Sequence, residues 1–492
     1  MDKQLRNGLP KQCLFINADG EIMSVEYGKS GFSRSELSTE NKKANREIVN
    51  SYNERYGITA EQVRIMHHGA LFGWDALHLS NQKESGVQSG RIFEVEISRP
   101  GAFGAETSAT LTLPAAPYEI LDALDKARVT DERVIYSSEI INCELDYLPQ
   151  FINPNTNLRE LNHLAGRLAS LTQWELDCFE GMVMMDTLQT QYAPIAIDRL
   201  INMTYSMEHC QTAYEAHDDQ SLGKFYADND FVPELESLSE RIFPWLDYAK
   251  IGKEMREGEG GVFTPHGYVV QNGEIAQTYQ SGDAALPKKP DYAILLSVRK
   301  GYFSDPDYDN DLCVQLKLPA DDKTVSQAAE AVDAASLREC AFHVEDCAAP
   351  QLSELICDEL DNRDGDITVV DAFAAQLRKL DREGRLPVYK AMLEVAPKDL
   401  SLDEAVDLAG QAVDFRLQRE IPSPLEYAQA EIMKHDIPLK DELISSRDLY
   451  NYGQKLMEAQ GAVSTDYGIL LSEDGMTVEQ CLGRPDQHME MR

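Results

Sequence analysis

The chain has 492 residues, 43% of them hydrophobic, and sets 46 Lys+Arg against 84 Asp+Glu for a formal net charge of −38. That length admits about two to four domains with real cores, and that charge excludes nucleic acid held by the protein's own field, because phosphate binding needs the opposite sign. No apolar run approaches the roughly 18 residues of a membrane span, and MDKQLRNGLPKQCLF lacks the apolar stretch of a signal peptide.

Residues 1–90 are charge-neutral, with 11 acids and 11 bases. LFINADGEIMSVEYG reads as a hairpin around Asp19-Gly20. Two helices follow between Ser38 and Arg64, the first capped by Thr39 and broken at Gly57. His67-His68 has no carboxylate partner at metal or catalytic spacing and reads as a helix end.

Residues 91–286 hold 32 acids and 13 bases, and residues 287–492 hold 41 and 22. These equally acidic blocks also match in pattern. FEVEISRPGAF and YAILLSVRKGYF read as strands entering a turn; LTLPA and LKLPA read as second strands stopped by Pro. ILDALDKARV and VSQAAEAVDAASL are amphipathic helices, followed by LNHLAGRLASL with VDAFAAQLRKL and IDRLINM with LDEAVDL. Each block closes on a helix and a Gly-rich return, GGVFTPHGYVV or GAVSTDYGILL. The expectation is a tandem duplication of one module, joined through PKKP. The fold class is α+β: an elongated multi-domain chain of small antiparallel sheets with helix-rich middle subdomains. The domains are 1–90, 91–286 and 287–492.

The candidate partner-binding acids come from three stretches. Tyr214–Glu240 carries Glu215, Asp218, Asp219, Asp228, Asp230, Glu234, Glu236 and Glu240 against one base, Lys224. The next helix adds Asp247, Glu254 and Glu257, and DPDYDND adds Asp305, Asp307, Asp309 and Asp311. Tyr214, Phe225, Tyr226 and Phe231 read as core of the same region. LDNRDGDITVVD approaches a calcium loop through Asn362, Asp364, Gly365 and Asp371, but Leu360 stands where the first Asp ligand belongs. A turn and helix start near Asp366 is the better reading. DPDYDND lacks the loop glycine and reads as a polar connection. GEGGV (Gly258–Val262) is a turn from helix to strand rather than a phosphate cradle. No metal site, cofactor or catalytic constellation is expected, so the chain reads as a non-enzyme. Nine cysteines without a CxxC pair read as reduced, mostly buried thiols of a cytoplasmic protein.

The first acidic block resembles the antirestriction proteins of the ArdA type, carried by conjugative elements. LPAAPYEILDALDKARV, VIYSSEI, NLRELNHLAGRLASL, INMTYSMEHC, DDQSLGKFYADND, LDYAKIGKEM and GGVFTPHGYV occur in that family's order and at about its spacing, over roughly residues 93–275. The second block is similar mainly through the first. The segments NGLPKQCLF, SGFSRSELST and HHGALFGWD resemble an accessory domain of Firmicutes conjugative elements. The resemblance implies a DNA mimic that occupies the DNA-binding groove of type I restriction-modification enzymes. It implies three small subdomains per module and two modules paired into a bent rod. That pairing would be a homodimer or, given the duplication, a pseudo-dimer within one chain. Lys250 and Lys253 depart from the family by diluting the acid of their helix.

Charge density agrees with mimicry. At one charge per 1.7 Å of duplex axis, 38 net charges correspond to roughly 65 Å of DNA. Carboxylates three or four positions apart on a helix sit about 5–6 Å apart, and opposite a Lys/Arg-lined groove they form charge-assisted bonds. The rival reading is an acidic adaptor or scaffold for another basic DNA-binding protein or nuclease.

Overall fold

The computed structural model describes residues 5–6, 9–10, 12–16, 21–26, 33–39, 41–56, 90–100, 106–130, 134–190, 194–229, 231–235, 242–282, 289–300, 313–362, 366–435 and 445–483. Compact packing divides the chain in two. Unit 1 is Met1–Ile92, Cys143–Thr156 and Glu160–Gly282; unit 2 is Phe93–Asn142, Asn157–Arg159 and Asp283–Arg492.

The N-terminal part of unit 1 pairs β3 (Gln12–Ile16) with β4 (Ile22–Glu26), beyond the short pair β1 (Leu5–Arg6) and β2 (Leu9–Pro10). This is the expected hairpin, and β5 (Ser33–Arg34) adds to β4. Helix α1 (Lys42–Tyr56) ends just before Gly57, as its sequence suggests. Its cap differs from the expectation. Asn41 Oδ1 accepts from the backbone of Lys43 and Ala44, at 3.1 and 3.2 Å. Thr39 instead turns its hydroxyl to Asn45 Oδ1 at 2.7 Å, two residues too early to reach the helix N–H groups. The second helix and His67-His68 lie outside the described residues.

From Phe93 onward one element order occurs twice. The first copy is β6 (Phe93–Pro100), β7 (Glu106–Leu113), α2 (Pro117–Lys126) and β8 (Ser137–Cys143). Next come α3 (Leu158–Ala169), α4 (Gln173–Thr190), α5 (Ile197–Met203) and β9 (Cys210–Ala213). It closes with α6 (Asp219–Asp228), α7 (Tyr248–Glu259), β10 (Val262–Thr264) and β11 (Gly267–Gln271). The second copy is β12 (Ile294–Lys300), β13 (Val314–Leu318), α8 (Asp322–Ala331) and β14 (Cys340–Cys347). An added helix, α9 (Ser353–Asn362), precedes α10 (Thr368–Arg382), α11 (Leu386–Val395), α12 (Leu402–Gln411) and β15 (Phe415–Gln418). Then follow α13 (Pro424–Lys434), α14 (Ser446–Gln460), β16 (Val463–Thr465), β17 (Gly468–Ser472) and α15 (Val478–Cys481).

Sheet orders match, β7-β6-β8 with β13-β12-β14 and β10-β11-β9 with β16-β17-β15. So do details no packing argument requires. The bonds Leu113-Pro114 and Leu318-Pro319 are both cis, and Arg128 (φ 63) and Asp333 (φ 55) both take a left-handed conformation just after the first helix. The chain is α+β, with small antiparallel three-stranded sheets and helix-rich middles, and the duplication is visible strand by strand.

Unit 2 joins the first copy's β6–β8 region to the second copy around α2. Tyr118, at the start of α2, enters the core that holds Leu316, Phe373 and Tyr389. Its hydroxyl donates to Tyr292 O at 2.7 Å, and its backbone N–H meets both oxygens of Asp346 at 3.2 Å. Further along α2, Lys390 Nζ sits 2.9 Å from Asp122 Oδ1 and 3.0 Å from Asp125 Oδ2, with its side chain only 1% exposed. Tyr467 donates to Asp122 at 2.7 Å, and Arg419 Nη2 pairs with Asp125 at 2.7 Å.

Asp346 gives a pH prediction. It is 3% exposed, and burial pushes its carboxyl up to about 6, against the opposing bonds from Tyr292 and the Tyr118 N–H. A raised folded pKa means the ionised form opposes folding. That penalty is absent below about pH 4, grows as pH rises toward 6 and is constant above, reaching about 3 kcal/mol. The stability of Asp346→Asn minus that of the native chain should therefore rise between pH 4 and 6.5 in denaturant titrations. A pH-independent difference would show that Asp346 is not held neutral by burial.

Candidate functional site

Asp218, Asp219, Asp228, Asp247, Glu254 and Glu257 ride on the helix pair α6 and α7. Asp218 caps α6, accepting from Ser221 N at 2.7 Å, and Asp247 caps α7, accepting from Lys250 N at 3.1 Å. The two helices cross at glycines. A Cβ on Gly223 would stand 1.9 Å from Tyr248 O, and one on Gly252 would stand 1.9 Å from Asp219 O. Backbone meets backbone there, so Gly252→Ala should force the helices apart and cost about 1–3 kcal/mol. Urea unfolding of unit 1 checks this; an unchanged midpoint would mean the crossing is soft. Tyr226 packs beneath, with Phe225 and Phe231 against it, as the sequence suggests. Tyr214 departs from that expectation: its hydroxyl donates to Asp177 at 2.9 Å, because β9 ends beside α4.

The candidate acids occupy three kinds of place. Glu215, Asp218, Asp228, Glu234 and Asp247 are exposed. Glu254 and Glu257 are exposed too, but Lys250 and Lys253 stand one helical turn before them at 3.9 and 3.8 Å. Such exposed pairs contribute little to stability, yet they dilute the local field. Asp219 is half-buried and holds Arg256 through both oxygens, at 2.7 and 3.1 Å. The bond from Arg256 is the main reason its carboxyl lies below the usual range. Asp230, Glu236, Glu240, Asp305, Asp307, Asp309 and Asp311 lie outside the described residues, as do Asp364 and Gly365. Asp366 accepts from Thr368 N at 3.0 Å at the start of α10, in keeping with a helix start there.

Two acidic faces in unit 2 escaped the sequence reading. On α9, Glu354, Asp358 and Asp361 are exposed at spacings of four and three, opposite buried Leu352, Ile356 and Leu360. The helix has no base, and these three acids make no ion pair among the described residues. On α12, Asp403 and Asp407 are exposed one turn apart, opposite buried Leu402, Ala405 and Leu408. That helix also has no base, and α9 and α12 touch. The signal was available in SELICDELDN and SLDEAVD, where acids recur at the helical period. Linear charge density, which singles out Tyr214–Glu240, does not detect it.

No family model matches this chain, and no curated protein matches it either.

Other acids serve the interior. Asp177, Glu180 and Asp186 on α4 are all buried. Asp177 accepts from Gln173 at 2.7 Å as well as from Tyr214, and Asp186 pairs with Arg199. Asp122 and Asp346 are buried likewise. A part of the formal charge is therefore held inside the fold. Among the described residues, no group of three or more His, Cys, Asp or Glu is arranged to hold a metal ion, and no helix is long and apolar enough to cross a membrane. Cys143, Cys178, Cys210 and Cys347 are buried. Those four are apolar packing in effect; burial raises the Cys143 thiol to about 11 and that of Cys347 to about 12.

Proposed function

We propose that this protein is a non-enzymatic, cytoplasmic antirestriction protein that mimics DNA and occupies the DNA-binding groove of a type I restriction-modification enzyme. The observation that carries this reading is the pair of base-free acidic faces on α9 and α12. Exposed carboxylates there stand about 5–6 Å from one another, on a rigid scaffold, where a Lys/Arg-lined groove would bond to them as it does to phosphates. The exposed acids of α6 and α7 and the net charge of −38 support the same reading. The likeness of Phe93–Ile275 to the ArdA type supplies the identity of the target. The duplication would give one chain the pair of modules that the family assembles.

The test is competition. A type I methyltransferase bound to labelled target duplex should lose that duplex when the protein is added at low salt, and keep it at high salt. Failure to displace duplex at low salt overturns the reading.

One observation favours the adaptor reading. Trp245 is 86% exposed and Ile242 is 44% exposed, in a 3-10 turn of unit 1. Charge mimicry alone does not call for an exposed indole, whereas tryptophan is enriched among the anchors of protein interfaces in general. Capture of a DNA-binding partner from cells that lack type I enzymes, lost on Trp245→Ala, would select the adaptor.

A further inference from the structure

Unit 2 contains a cavity of about 380 Å³ beside α2 and α11. That is within the range of small-molecule sites, roughly 300–1,000 Å³. Its charged lining is Lys289, Lys390, Arg419, Asp125 and Asp381, with the hydroxyls of Tyr118 and Thr130 beside them. Its apolar lining includes Leu121, Leu124, Val129 and Leu386.

The hydrogen-bonding capacity of that lining is lopsided. Asp125 has both oxygens engaged, Oδ2 by Lys390 at 3.0 Å and Oδ1 by Arg419 at 2.7 Å. Asp381 Oδ1 is taken by Lys289 at 2.7 Å. The donors are not used up. An ammonium has three N–H groups and a guanidinium five; Lys390 Nζ hydrogen-bonds to Asp122 and Asp125 and lies 5.7 Å from the centre of the Tyr467 ring. Arg419 reaches Asp125 through Nη2 alone, which leaves the two N–H groups of Nη1 over. Three cations therefore gather at one cavity of a chain of net charge −38, held by Asp125, Asp381 and, behind Lys390, Asp122.

We propose that this cavity binds a small organic anion, with a carboxylate or phosphate-monoester head at Arg419, Lys390 and Lys289 and a short apolar body against Leu121, Leu124 and Leu386. The head supplies acceptors to the donors left over, and the body fills the apolar wall. Because α2 comes from Phe93–Asn142 and α11 from Asp283–Arg492, the ligand spans the seam within unit 2 and locks it. Ligand bound to the folded state alone raises stability with concentration.

Thermal unfolding of the full chain tests this with octanoate and phenyl phosphate, against inorganic phosphate and chloride at matched ionic strength. At least one organic anion should raise the melting temperature saturably, and calorimetry should give one site per chain. Octanoate against phenyl phosphate decides which head the site prefers. Lys289→Gln, whose side chain is 62% exposed and so tolerates replacement, should weaken binding by about fivefold or more, and Arg419→Gln should abolish it. The proposal falls if neither organic anion exceeds chloride, if inorganic phosphate does as well as both, or if Lys289→Gln binds as the native chain does. The Lys289 variant decides the matter where Arg419→Gln does not fold.

Discussion

Lys390→Ala should lower the stability of unit 2 by about 3 kcal/mol, the lower end of the range for breaking a buried ion pair. The lower end applies because both partners keep another cation. Asp122 retains Lys126 at 3.3 Å, and Asp125 retains Arg419. Truncation also removes a stem packed where Lys390 is only 1% exposed, so part of the loss is packing. Lys390→Met keeps most of that volume and isolates the charge. It should cost less than alanine but still leave Asp122 short of its closest cation. The two variants also differ from the native chain in acid. Burial works against the charge of Asp122, and Lys390 and Lys126 outweigh it, so its carboxyl lies below the usual range. A depressed folded pKa gives stability that is present above the unfolded pKa and lost as pH falls through the folded one. Without Lys390 that contribution shrinks, so the native advantage over Lys390→Met should be full near pH 7 and narrow toward pH 3. Guanidinium titrations at several pH values measure both effects. A loss under about 1 kcal/mol for both variants would show that this network does not hold the seam.

The same residues mark where sequence reading stops. The duplication was legible because it is local pattern repeated: Pro after the second strand, helices of three-four period, a Gly-rich return. The hairpin at Gln12–Glu26 and the stop of α1 at Tyr56 were legible for the same reason. Long-range partners were not. Asp122 and Lys390 lie 268 positions apart, and nothing in LDALDK or PVYKAM says that one helix buries against the other. Nor could composition separate structural from exposed acids. Asp177 and Asp358 are both aspartates in helices, yet one is buried beneath Tyr214 and the other faces solvent. Asp219 looked like surface charge until the glycine crossing brought Arg256 to it. Thr39 lost the cap of α1 to Asn41 because cap choice turns on two residues of register, which propensity does not resolve.

Neutralising the α9 face by Glu354→Gln, Asp358→Asn and Asp361→Asn together should weaken capture by a type I methyltransferase while leaving the fold intact or slightly firmer. Each exposed contact with a groove cation is worth about 0.2–1 kcal/mol. Three together come to roughly tenfold in affinity, more at low salt, because screening is weakest there. The salt dependence of binding should fall in step, as it does when a phosphate contact is removed. The double substitution Glu254→Gln and Glu257→Gln is the control. Lys250 and Lys253 already offset those charges, so the same assay should register a smaller change. Stability separates function from architecture. Asp361 is in the last turn of α9, where a negative charge opposes the helix dipole by about 0.3–1 kcal/mol, while Glu354 in the first turn favours it. Asp361→Asn alone should therefore raise the melting temperature slightly as it lowers affinity. If the substitution lowers stability and leaves capture unchanged, the α9 face is ordinary solvated surface and carries no support for the proposed mimicry.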